Sequence, residues 1–68
     1  MPKLWERLLQ TVAELEPVTY AEILSEYPQE RACRVSVDLK VLQHNNRISY
    51  SRGRYALTDS EREDRANG

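Results

Sequence analysis

What this 68-residue chain lacks narrows its function more than what it contains. It has one cysteine, so no internal disulfide can staple the fold, and a reducing compartment is the simplest setting. It also has one histidine. If Cys33 and His44 share one helix they stand about 16 Å apart, too far for a Cys–His pair. No second thiol or imidazole is present to complete a zinc site. With two glycines in all, there is no glycine-rich phosphate loop. The carboxylates are plentiful but scattered. No catalytic constellation forms, so the chain is expected not to be an enzyme and to carry no metal, cofactor or small-molecule substrate. No apolar run approaches the roughly 18 residues of a membrane span. The opening "MPKLWERLL" has an acid inside its apolar stretch, unlike a signal peptide. A cytoplasmic protein without membrane contact is the expectation.

The length allows one domain, which buries only about 60% of its unfolded surface. The net charge of −1 conceals an uneven distribution. Residues 1–29 set Lys3 and Arg7 against Glu6, Glu14, Glu16, Glu22 and Glu26, a balance of −3. Residues 30–54 set Arg31, Arg34, Lys40, Arg47, Arg52 and Arg54 against Glu30 and Asp38, a balance of +4. The remainder sets Arg62 and Arg65 against Asp59, Glu61, Glu63 and Asp64, a balance of −2. The basic middle matters more for a partner than the sum does.

Hydrophobic spacing predicts three helices. In "PKLWERLLQTVAEL", Leu4, Leu8, Val12 and Leu15 recur on one face beside Trp5 and Leu9. Pro2 suits a first turn, and Glu16-Pro17 ends the helix because a residue before proline is pushed out of the α region. The stretch "VTYAEI" has Thr19 three residues before Glu22, a capping box. Val18 and Ile23 flank it as a hydrophobic staple. Ala21, Ile23, Leu24 and Tyr27 are the inward candidates of this short second helix. A third helix is expected from about Pro28 or Gln29 to Asn45, with Ala32, Val35, Leu39 and Leu42 inward. Asn45-Asn46 suits a left-handed stop.

"RISYSRGRYALT", residues 47–58, reads as a hairpin. A two-residue Arg52-Gly53 turn sets Ser51 opposite Arg54, Tyr50 opposite Tyr55 and Ile48 opposite Leu57, so apolar residues meet on one face. The charged "TDSEREDRANG" that follows is expected to be a frayed helical turn or a disordered, flexible tail. The predicted architecture is a small α+β domain over residues 1–58, three helices and a two-stranded hairpin, with a polar tail at 59–68.

The stretches "VTYAEILSEY" and "VSVDLKVLQHNNRISYSRGRYALT" resemble the winged helix-turn-helix family over roughly residues 3–58. Asn46 stands where that family often has glycine, Ile48 matches the aliphatic residue that opens the wing, and "GRYALT" resembles a wing exit. The chain departs from the pattern between Ile23 and Val35. That connection is about one residue longer, carries Tyr27-Pro28 in place of glycine, and has no Ser or Thr cap for the third helix. These departures bear on the angle between the second and third helices.

The resemblance implies a double-stranded DNA binder, a small transcriptional regulator or architectural protein, with helix 3 in the major groove and the wing on the backbone. On that reading Arg34 can pair with a guanine, Ser36 can bond a base or phosphate, and Val37 can touch a thymine methyl. Lys40 shares their face, and Gln29 and Arg31 reach the backbone. Arg47, Arg52 and Arg54 of the wing contact phosphates or a minor groove; alternatively they only keep a sheet edge soluble. Other readings stay open. Cys33, Val37 and Val41 form a stripe too apolar for an ordinary exposed face, which suits a homodimer or a larger protein partner. RNA can bind the same basic segment. Tyr50 and Tyr55 are either a cross-strand pair over the helices or a stacking platform for bases. Trp5 is a core-edge anchor or an oligomer contact.

Overall fold

The structure, a computed structural model, describes residues 2–67. In chain order it contains α1 (Leu4–Leu15), β1 (Val18–Thr19), α2 (Tyr20–Ser25), α3 (Ala32–His44), β2 (Ile48–Ser51), β3 (Arg54–Leu57) and α4 (Asp59–Asn67). The strands form one antiparallel sheet in the order β1-β3-β2.

The core is built from one face each of α1, α2 and α3 and the inner side of the sheet. Leu8 and Val12 of α1, Val18 of β1, Ile23 of α2, Val35, Leu39 and Leu42 of α3, and Ile48 of β2 are almost wholly removed from water. The periodicity is followed with three exceptions. Leu15, in the last turn of α1, is 45% exposed. Ala21 and Ala32 are exposed as well. The inward stripe of α3 is therefore Val35, Leu39 and Leu42, and Ala32, at the first helical position, lies outside it.

The capping box forms as expected. Thr19 Oγ1 accepts from the Glu22 backbone N–H at 3.1 Å, and Glu22 Oε1 accepts from the Thr19 N–H at 3.1 Å and hydroxyl at 2.9 Å. The flanking Val18 and Ile23 are both buried in the core. The Thr19 backbone donor, then its hydroxyl, hold the Glu22 carboxyl below its ordinary value of 4.5, with Arg54 adding a smaller pull in the same direction. A carboxyl depressed in the folded state adds stability at pH values above its unfolded pKa. That stability is lost as pH falls through the folded value. Thermal melts from pH 6 down to pH 3 are expected to show the wild type losing a contribution that a Glu22→Gln variant never had. The two melting curves converge at the acid end.

Helix α3 starts later than the sequence suggests. Residues 27–31 form a turn, in which the Glu30 N–H donates to the Tyr27 carbonyl at 3.1 Å. Arg31 is extended and makes no side-chain cap. Without a Ser, Thr, Asp or Asn to collect its free N–H groups, nothing in the sequence carries the helix back to Pro28. Its other end closes as expected. Asn46 is left-handed at φ 59°. The Asn46 N–H donates to the Gln43 carbonyl at 3.0 Å and the Arg47 N–H to the Leu42 carbonyl at 2.9 Å, the paired bonds of a Schellman stop.

The hairpin has the predicted register, with Ile48 opposite Leu57, Tyr50 opposite Tyr55 and Ser51 opposite Arg54. Arg52 and Gly53 both have positive φ, 54° and 78°, so the strands twist correctly through a two-residue turn. The sheet corrects the expected two-stranded hairpin, because β1 pairs on the far side of β3, Val18 with Tyr55 and Thr19 with Arg54. Beyond β1 the ladder is continued by a side chain: the Leu57 N–H donates to Glu16 Oε1 at 3.2 Å.

Of the two expectations for residues 59–68, the helical one is met and the flexible tail is not: Asp59–Asn67 form a full helix in place of a frayed turn. Thr58 Oγ1 accepts from the Glu61 N–H at 3.2 Å and donates to the Asn46 carbonyl at 2.7 Å, which caps α4 and ties it to the end of α3. Glu61 is buried, with Arg47 Nη1 at 3.3 Å and Arg65 Nη1 at 3.8 Å. Arg62 pairs with Glu16, and Arg65 Nη2 donates to Gln10 Oε1 at 2.7 Å. Among the described residues, α4 has Ala66 as its one apolar side chain, so polar contacts dock it. Gly68 lies outside the described residues.

Candidate nucleic-acid interface

With Val35, Leu39 and Leu42 turned inward, the helical repeat aims Cys33, Val37, Lys40, Val41 and His44 outward. All five are exposed. Arg34 is exposed on one flank, and Ser36 is half-buried on the other. Gln29 and Arg31 precede α3. Together with Leu4, Glu30 and Arg34 they line a shallow recess of about 430 Å³ at its N-terminal end. Arg52 and Arg54 are exposed at the wing.

The ion pairs sort the cations into two groups. Among the described residues the pairs are Arg47–Glu61, Arg62–Glu16 and Arg65–Glu61. All three sit around α4. Lys3 and Arg7, at the start of α1 and away from α3, take part in none of them, with Arg7 over the Tyr27 ring; neither do Arg31, Arg34, Lys40, Arg52 and Arg54. These five are the cations of α3, its approach and the wing tip. Arg47 stands apart from the other sequence candidates. Its guanidinium lies 5.6 Å from the centre of the Trp5 ring and bonds Glu61. It spans the base of the fold, away from the wing tip. Trp5 is half-buried under it, which fits the core-edge role.

Arg52 also carries a conformational signature. A non-glycine residue in the left-handed region costs about 1 kcal/mol, and asparagine or glycine is the favoured occupant of this turn position. An arginine kept there places its charge at the farthest point of the wing.

The sequence reading does not single out Tyr20. Its hydroxyl donates to the Ala32 carbonyl at 3.1 Å, in the first turn of α3. It lies near Tyr55 of the wing. Tyr50 and Tyr55 face each other with ring centres 4.7 Å apart and planes tilted by 51°. Burial, then the Tyr50 and Tyr20 hydroxyls nearby, push the Tyr55 hydroxyl above its ordinary 10.0. Tyr55 packs against the core, but Tyr50 is 51% exposed. The pair is therefore half core and half surface. No spacing rule marks Tyr20, because it follows the capping threonine and its partner lies twelve residues on.

Among the described residues, no helix is long and apolar enough to cross a membrane. No group of three or more His, Cys, Asp or Glu side chains there is placed to hold a metal ion.

Two short helices, a third with an exposed outer face, and a twisted hairpin leaving its end make a winged-helix-like layout, extended here by β1 and α4. No family model matches the chain, and no curated protein matches it. Among solved structures it is similar to the activation domain of the phage T4 transcription factor MotA. The TM-score is 0.87 at 19% identity, over 98% of this chain and 70% of that one. At that identity the likeness shows the fold.

Proposed function

We propose that this domain acts in transcription by binding double-stranded DNA, with the outer face of α3 on the major groove and the wing on the backbone. The observation that carries this reading is the sorting of charge. Every ion-paired arginine lies around α4, while Arg31, Arg34, Lys40, Arg52 and Arg54 stand free on α3, its approach and the wing. Val37 and Ser36 lie between these cations, within a base-reading face. The likeness to a transcription factor domain supports the setting. Phosphate contacts supply most of the affinity of so small a surface, so one copy binds weakly and gains specificity from a second copy or a partner protein.

A salt titration on random-sequence duplex tests this. If five phosphates are neutralised, log affinity falls against log salt with a slope of about −4.5, which is about 500-fold between 50 and 200 mM. Absence of binding at low salt, or a slope near zero, overturns the proposal.

A second reading has its own observation. Val37 and Val41 are 56% and 47% exposed on one helical face with Cys33, and the similar solved domain is named for activation. A protein partner on that face is lost with Val37→Glu and kept when the wing charges are reversed.

A further inference from the structure

We infer that Tyr20 is a positioning residue, which holds α3 at the angle its DNA-facing side chains require; this rests on the function proposed above. Helix α3 begins without a side-chain cap, since Arg31 supplies none. The connection that precedes it is a turn around Pro28. The packing of α3 is on α1 and β2, with little against α2. Among the described residues, the Tyr20 hydroxyl on the Ala32 carbonyl is the one hydrogen bond that joins α2 to α3. It acts two residues before Arg34 and five before Val37.

The same tyrosine packs against the core beside Tyr55 of the hairpin, close enough to act on the Tyr55 hydroxyl. One side chain thus lies at the meeting point of α2, the start of α3 and the wing. These are the elements that bring the two groups of free cations to one ligand. The ring packs on the core and needs no hydroxyl to do so. The hydroxyl is the part left for placing α3.

A helix released from this tie spends part of its time away from the binding-competent angle. Apparent affinity then falls by the competent fraction, while the contacts in the final complex stay the same. Tyr20→Phe keeps the ring and removes the tie. Tyr27→Phe is the control, because its hydroxyl bonds Thr11 Oγ1 at 2.5 Å between other elements.

The measurement is duplex affinity against salt for the wild type and both variants, with amide hydrogen exchange in the first turn of α3. The expected result for Tyr20→Phe is a loss of about 5- to 10-fold with the salt slope unchanged, and faster exchange at Arg34 and Val35. Tyr27→Phe is expected to change affinity less than about twofold. Equal losses in the two variants mean a merely structural role and overturn the inference. So does unchanged exchange in Tyr20→Phe. Failure of the wild type itself to bind duplex overturns the proposed function, and this positioning role falls with it.

Discussion

Reversing both wing charges, Arg52→Glu with Arg54→Glu, is expected to weaken duplex binding by about 100-fold at 100 mM salt and to flatten the salt slope by about two. Each arginine has no carboxylate partner within salt-bridge distance among the described residues. Both are exposed, so their reversal leaves the core intact. The melting temperature of the double variant is expected to stay within a few degrees of wild type. Arg54 does reach Glu22 electrostatically, and a carboxylate at that position adds some repulsion. The neutral pair Arg52→Gln with Arg54→Gln separates this from the loss of phosphate contact. It should lose the same share of slope with less loss of stability. Retention of wild-type affinity and slope in the folded double variant removes the wing from the interface.

The second large effect is on stability. Leu39 is 1% exposed at the centre of the inward face of α3. Truncation to alanine is expected to cost about 3 kcal/mol, from lost burial and the cavity left behind. A chain of this length has a total stability on the order of 3–10 kcal/mol, so the variant sits near its threshold. A drop in melting temperature of roughly 12–25 °C follows. Val41→Ala, two positions along but 47% exposed, is the contrasting case and should change stability by no more than about 0.5 kcal/mol. A small effect at Leu39 would mean that α3 is not packed as described.

Local signals were legible in the sequence and distant ones were not. The Thr19–Glu22 box, the Asn46 stop and the hairpin register each depend on residues within ten positions of one another. Each is found as expected. The strand β1 is two residues long and becomes a strand only by pairing with Tyr55 and Arg54, more than thirty positions away. Its Thr19 is already occupied as a helix cap, and an extended cap residue doubles as a strand end without any further mark in the sequence.

Helix α4 was hidden for a different reason. It has no apolar stripe, so periodicity says nothing about it. The one sign is "TDSE", Thr58 three residues before Glu61, the same pattern as "TYAE" earlier in the chain. The placement of Arg47 was equally hidden. Its neighbours in sequence suggest a wing residue, but Trp5 and Glu61 hold it at the base of the fold. In the candidate site, the outward face of α3 was legible from helical geometry. The sorting of free from paired cations was not, because the pairing depends on α4.

The Glu16 carboxylate on the Leu57 N–H bears on how this protein behaves in a crowd. A sheet edge with unpaired backbone groups invites a strand from another molecule, and small proteins with open edges are prone to stick together. On the β1 side, β3 offers only its last residues once Val18 and Thr19 have paired. There Glu16 takes the Leu57 donor while Arg62 pairs with Glu16 and lies over the strand end. An incoming strand meets a charged plug in place of a free ladder. At this end of β3, recruitment of a neighbour is blocked by two side chains, Glu16 from the end of α1 and Arg62 from α4.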